Sequence, residues 1–433
     1  MPSLTDSAPA TTRCEKCGAE LPPLADRCPR CGAVITIHPA RLVLGLTLLL
    51  IIVGFAFTQY FANLHRNTQS DLAVRWFKRG GEAMQAHLPA AAAEDYRTAL
   101  SYDAANEEYR LRLAQSLMAA NQWNEARAQL VALWDQEPAD GEVNLTLARL
   151  FALRGDASKA IHYYNNAIDG VWRQNPRARR TATRFELVNY LMQQKRLAQA
   201  QAELLTIQAE GPSDNADQLR LGDLLLQVNE PVHAREAYNA VLAKDRDNAP
   251  AWLGKGQAEL VIGDYPGAEH ALANAVARDA RLDNAREQLE LVRQVLRLDP
   301  SLHGLSLAER SQRVAEAFQI ALRRLTGCAA QQGSTLTSPN AAPSAQAAKG
   351  AAPMKTPSTL APAMTQLQRL YAAGLQGQAS ATERTLRQNP DALDPTMQYI
   401  FDVERATAPI CPVMDVEDSA LLTLAQQESG AGK

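Results

Sequence analysis

Residues 111–138 read LRLAQSLMAANQWNEARAQLVALWDQEP. Leu113, Ala114 and Leu117 fall on one face of a helix, and Ala126, Leu130 and Leu133 on one face of a second. Spacings of three and four residues are the helical period. Ala120–Asn121–Gln122 is a polar turn between them. Pro138 closes the second helix, because proline has no amide to continue the ladder. The stretch therefore predicts a helix hairpin. One hairpin cannot bury its apolar face alone, so neighbours must stack on it.

Working outward, the pattern returns every 34 residues from Ala73 to about Leu282. Upstream it shows Trp76, Gly80, Ala83, Ala92, Tyr96 and Ala99. Downstream it shows Leu147, Ala148, Phe151, Ala160, Tyr164 and Ala167. The phase then slips by six residues through VWRQNPRARR. It resumes with Leu187, Val188, Leu191, Ala200, Leu204 and Pro212. Two further units follow, with Leu221, Gly222, Leu225, Ala234 and Tyr238, then Trp252, Gly256, Ala268, Leu272 and Ala275. The pattern resembles the tetratricopeptide repeat, W-x2-L-G-x2-Y, then A-x3-F, then P, over six units in residues 73–282. The resemblance implies an all-α, right-handed helical solenoid. Two capping helices are expected in 283–327: Asp283 to Leu298, stopped by Asp299–Pro300, and a helix ending near Leu325 that starts at the capping box Ser306-Leu-Ala-Glu.

The resemblance also implies a groove lined by the first helix of each hairpin. The residues after the Trp-like positions are Phe77, Leu111, Leu145, Phe185, Leu219 and Leu253. Seven further on lie Met84, Met118 and Met192, with Gln115, Arg149, Asn189, Asp223 and Gln257 between the two sets. Methionine-rich surfaces adapt to varied ligands. The family's carboxylate clamp needs lysines that this sequence lacks there; only Asn189 is in register. The expected partner is an apolar peptide, an amphipathic helix or a protein subunit. The competing reading is that these residues pack against the next repeat.

Before the repeats, residues 42–64 read LVLGLTLLLIIVGFAFTQYFANL. No charge lies between Arg41 and His65. Twenty-one helical residues give roughly 31 Å, the thickness of a bilayer's hydrocarbon core. A buried core helix would show a polar face, and a signal peptide would have a shorter apolar run. The expectation is a single transmembrane helix.

Residues 13–33, RCEKCGAELPPLADRCPRCGA, hold two C-x-x-C pairs, each followed by glycine. Cys14, Cys17, Cys28 and Cys31 are expected to bind structural zinc as four thiolates. An iron site uses similar ligands. The stretch resembles a bacterial zinc ribbon over residues 13–34, with a short gap between its pairs. Four thiolates are kept most safely in a reducing cytoplasm. That orientation puts the ribbon inside the cytoplasmic membrane of a bacterium and the repeats outside it.

Residues 1–12 and 331–363 are rich in Ser, Thr, Pro and Ala and are expected to be disordered. Residues 364–433 carry weaker helical periodicity. On an oxidising side Cys328 and Cys411 could pair. A net charge of −3 gives no sign of nucleic-acid binding. No H-E-x-x-H, Walker loop or G-x-S-x-G occurs, so neither an enzyme nor a small-molecule substrate is expected. The sequence thus reads as a membrane-anchored scaffold for a protein partner. Alternatives are a regulatory adaptor linked to the ribbon and an accessory assembly factor of an envelope enzyme.

Overall fold

The computed structural model describes residues 13–22, 25–35, 39–212, 214–332, 336, 361–411 and 415–431. Residues 1–12 and most of the expected linker lie outside these. Among the described residues there are helices and isolated bridges but no strands. The chain divides into two units, Met1–Val171 and Trp172–Lys433.

The first unit holds the cysteine pairs and three helix hairpins. These are α1 (Pro39–Gln85) with α2 (Pro89–Tyr102), α3 (Glu107–Ala119) with α4 (Trp123–Trp134), and α5 (Gly141–Leu153) with α6 (Ala157–Asp169). The sequence suggested that the apolar segment and the first repeat are separate elements. They are one helix: α1 passes from the apolar run into the first hairpin without a break. No proline or glycine lies between Leu64 and Arg79 to interrupt it. Every side chain from Val43 to Thr68 is exposed, so nothing among the described residues covers this apolar surface.

The second unit begins at the phase slip. Its hairpins are α7 (Pro176–Gln193) with α8 (Leu197–Glu210), α9 (Asn215–Gln227) with α10 (Pro231–Lys244), and α11 (Ala249–Ile262) with α12 (Tyr265–Arg278). The inserted residues form a connecting stretch and a longer opening helix. At 18 residues, α7 exceeds the 13 of α3, α5 and α9.

Two features recur with the repeat. The turn inside each hairpin carries one left-handed residue: His87, Asn121 and Gly155 in the first unit, Lys195, Asn229 and Gly263 in the second. They stand 34 apart within each unit and 40 apart across the slip. The left-handed conformation reverses the chain after α-helical residues in the shortest space. The second feature pins the opening turn of four first helices. Arg110, Asn144, Gln218 and Trp252 each donate a side-chain N–H to the backbone carbonyl six residues earlier, at 2.9, 2.8, 3.0 and 2.8 Å. Four different side chains supply one bond to the loop that links successive hairpins.

Glycine sets the hairpin spacing. A Cβ on Gly222 would stand 2.6 Å from Tyr238 Cζ, and one on Gly80 would stand 2.7 Å from Tyr96 Cδ1. The tyrosine ring fills the volume that the missing side chain leaves. Tyr238 also donates its hydroxyl to Asp223 Oδ1 at 2.6 Å. Burial, with that carboxylate, raises its phenol well above the ordinary value.

After the repeats come α13 (Asp283–Leu298) and α14 (Leu307–Gln331). Ser306 and Glu309 form a reciprocal capping box at the start of α14. This helix does not end near Leu325, because its buried stripe continues through Leu325, Cys328 and Ala329. The last residues form α15 (Ala361–Gly377), α16 (Glu383–Gln388), α17 (Leu393–Thr407) and α18 (Val416–Ala431). They are far better packed than their periodicity suggests. Leu367, Leu386, Ile400, Val403, Cys411 and Leu421 share one core with Val292, Val295 and Phe318.

Candidate functional site

The cysteine site is two copies of one small motif. Cys14 N–H donates to Ala19 O at 2.9 Å and Gly18 N–H to Cys14 O at 2.8 Å. Fourteen residues on, Cys28 N–H donates to Ala33 O at 2.8 Å and Gly32 N–H to Cys28 O at 2.9 Å. Gly18 and Gly32 take φ of +69° and +71°, the left-handed region that a knuckle requires and that glycine reaches without steric cost. Isolated bridges between Arg13 and Glu20 and between Arg27 and Val34 close the two loops, in place of a stranded ribbon.

The four sulfurs lie within 4.8 Å of one another. Cys14 and Cys31 Sγ are 3.6 Å apart, and Cys17 and Cys28 Sγ 3.5 Å. A tetrahedral ion with metal–sulfur bonds of about 2.3 Å needs edges of about 3.8 Å, so the donor set fits zinc. The amides of Arg30 and Cys31 lower the Cys28 thiol to about 6. At Cys17 the Ala19 amide pulls down, but crowding by Cys31 and Cys28 wins, and the thiol rises to about 12. Four thiols at this separation cannot all ionise unless a cation joins them.

The expected groove is only partly a groove. Phe77, Met84 and Gln115 line an open cavity of about 640 Å³ together with Lys78, Glu82, Tyr96, Glu108 and Arg112. Phe77 stacks on Tyr109 with centroids 4.7 Å apart and tilts against Tyr96 at 5.5 Å. Arg112 is held along α3 by Glu108 Oε1 at 2.9 Å and by Gln115 Oε1 at 3.2 Å. The charged members, Lys78 and Glu82 on α1 and Glu108 and Arg112 on α3, were missed because they do not fall at the apolar register positions of the repeat.

Elsewhere the positions differ. Leu111, Met118, Leu145 and Phe185 are buried. Phe185 is 0 % exposed and lies under the Arg220 guanidinium, 4.5 Å from its ring, so it lines no groove. Leu219 packs beside Trp252 against Val241, Leu242 and Ala251. Asn189, Met192 and Gln257 are half-buried, Arg149 and Asp223 exposed. Leu253 packs against the core that contains the C-terminal helices. Leu153 and Val261 are 64 % and 56 % exposed at the ends of α5 and α11, and were not singled out by sequence.

Cys328 and Cys411 form a disulfide with Cα atoms 5.6 Å apart, and both are buried. It ties Cys411, four residues past the end of α17, to the last turns of α14. Beside it Arg324 is 1 % exposed. Its Nη2 donates to Cys411 O at 2.9 Å, its Nε to Thr407 Oγ1 at 3.2 Å, and its Nη1 lies 3.6 Å from Asp418 Oδ2. Glu404 is 1 % exposed in the same cluster. Burial first, then Asp418, raises its carboxyl to about 8 against the pull of Arg324.

The tetratricopeptide repeat model matches residues 83–150 and 219–285. Cellulose synthase operon protein C of Escherichia coli is 28 % identical over 212 residues, covering 47 % of this chain and 18 % of that protein. The chain thus spans less than a fifth of that relative's length. Among solved structures, YrrB, described as a tetratricopeptide repeat protein with an unusual peptide-binding site, is 15 % identical. It covers 45 % of this chain and 98 % of its own, with a TM-score of 0.35. PilW, described as a type IV pilus biogenesis factor, is 15 % identical over 50 % of this chain and 98 % of its own, with a TM-score of 0.36. With its 34-residue hairpins and the two matched segments, this chain is a tetratricopeptide repeat protein.

Proposed function

We propose that the chain is a single-pass anchored scaffold that holds a protein or peptide partner at the bacterial envelope. The observation that carries this is α1. One unbroken helix presents an exposed apolar run of membrane-spanning length and then becomes the first wall of the cavity around Phe77 and Met84. A partner bound there would sit within a few helical turns of the lipid. In this reading the four cysteines hold a structural zinc ion in the cytoplasm, and the repeats lie outside the cytoplasmic membrane. The two cysteine groups support that orientation: one is a metal-type thiol cluster, the other a disulfide.

A second reading, an accessory factor beside an envelope enzyme, is supported by the likeness to cellulose synthase operon protein C. Both readings require the same topology. The test places single reporter thiols at Thr5→Cys and Asn124→Cys and treats intact cells with a membrane-impermeant maleimide. Labelling at 124 without permeabilisation, and at 5 only after it, is the expected result. The reverse pattern overturns the orientation, and protection of both until permeabilisation overturns the crossing. A photo-crosslinking residue at Gln115 should then capture an envelope protein; capture of none sinks the scaffold reading.

A further inference from the structure

Helix α18 is held differently from the helices before it. Helix α17 is tied to α14 by the Cys328–Cys411 bond. Nothing covalent ties α18 beyond its chain connection. It packs along α13 and against α14 and α17. Its seat has three parts. At the first turn Glu417 is gripped by two guanidinium groups, Arg297 Nη2 at 2.7 Å from α13 and Arg323 Nη2 at 3.0 Å from α14. Asp418 faces Arg324. Along the helix Ala420, Leu421, Leu424 and Ala425 are buried. At the far end Gln427 accepts from the Tyr265 hydroxyl and donates to Ile262 O at 3.5 Å, at the α11–α12 turn.

That is how a receptor holds an amphipathic helix: cations read the acidic first turn, where the helix dipole also favours negative charge, and an apolar trough takes one face. The seat is built mainly on α13 and α17, with α14 beside them, and Gln427 reaches the end of α11, a first helix of the kind that lines a repeat groove.

We propose that the α13–α14 surface is a helix-docking site, that α18 is its tethered occupant, and that a partner helix with an acidic first turn and a small-apolar face replaces it. The inference rests on the scaffold reading and adds the kind of partner. Tethering supplies an effective concentration on the order of millimolar. A free helix of equal intrinsic affinity is therefore excluded until α18 is weakened or outmatched. The buried disulfide keeps the segment that follows α17 tied to α14 while α18 leaves.

The test uses the full chain in detergent and a fluorescent peptide of residues 415–431, read by anisotropy. The wild-type chain should bind the peptide at least tenfold more weakly than the Leu421→Glu chain. A peptide carrying Leu421→Glu should bind neither. Adding Arg297→Glu to the Leu421→Glu chain should weaken the peptide, and a Glu417→Arg peptide should regain the loss. If Leu421→Glu fails to fold, Leu424→Ala serves instead, with the same ordering over a smaller ratio. Equal affinity for wild type and variant, or no binding to either folded chain, overturns the proposal. If the peptide behaves as stated while a probe at Gln115 captures no envelope protein, the scaffold reading falls and the docking site stands.

Discussion

At the scale of single residues the repeat is held by backbone conformation as much as by packing. His87 and Lys195 occupy the left-handed position that Gly155 and Gly263 occupy in other hairpins. An L side chain costs about 1 kcal/mol there. Lys195→Gly and His87→Gly should each stabilise the fold by about that amount, less the entropy glycine gains when unfolded, and denaturant midpoints would measure it. The opposite change at the hairpin core should fail. Gly222→Ala drives a methyl to 2.6 Å from Tyr238 Cζ and should cost about 1–3 kcal/mol in the same experiment. The position of Gly222 was readable from sequence, because the spacing to Tyr238 is that of the repeat. The shared bond from Arg110, Asn144, Gln218 and Trp252 was not. An arginine, two amides and an indole have no common letter, and only their donors meet at one kind of carbonyl.

At the scale of elements, the cysteine loops and the C-terminal helices answer to different chemistry. The loops have too few residues to fold by burial, and a bound metal would supply the stability that burial does not. The chain should carry one zinc ion, and Cys28→Ser should abolish it, measured by metal analysis of the purified protein. With cobalt substituted, loss of the thiolate charge-transfer band would report the same ligand. The pH response of the C-terminal helices centres on Glu404. Its carboxyl is raised from an ordinary 4.5 to about 8 in the folded state, so the folded chain holds a proton the unfolded chain releases. That contribution is complete below about pH 4.5 and is lost as pH rises through 8. Asp418, raised mainly by burial, acts with the same sign. The second unit should therefore be less stable at pH 8 than at pH 6 by roughly 2 kcal/mol. Glu404→Gln should flatten that slope, and an unchanged slope would assign the effect to other groups.

At the scale of the whole chain, the exposed run from Val43 to Leu64 dominates behaviour. The full chain should sediment with membranes and leave them only in detergent. A chain starting at His65 should stay in the supernatant with its helical signal intact. Partitioning of both forms into the soluble fraction would remove the anchor.

What the sequence by itself determined is whatever is periodic or local. The 34-residue hairpins, the slip at VWRQNPRARR, the paired cysteines with their glycines and the apolar span are each written in adjacent letters. Helix, knuckle and span are formed by near neighbours. Tertiary structure alone decided the rest. Phe185 and Leu145 occupy groove positions by register yet are buried, because burial depends on what the folded chain packs against them. Arg324, Glu404, Thr407 and Cys411 are brought together with α18 across more than 80 residues of chain. No local pattern encodes that meeting, because each residue alone reads as an ordinary position on an amphipathic helix, and only the packed core makes them neighbours.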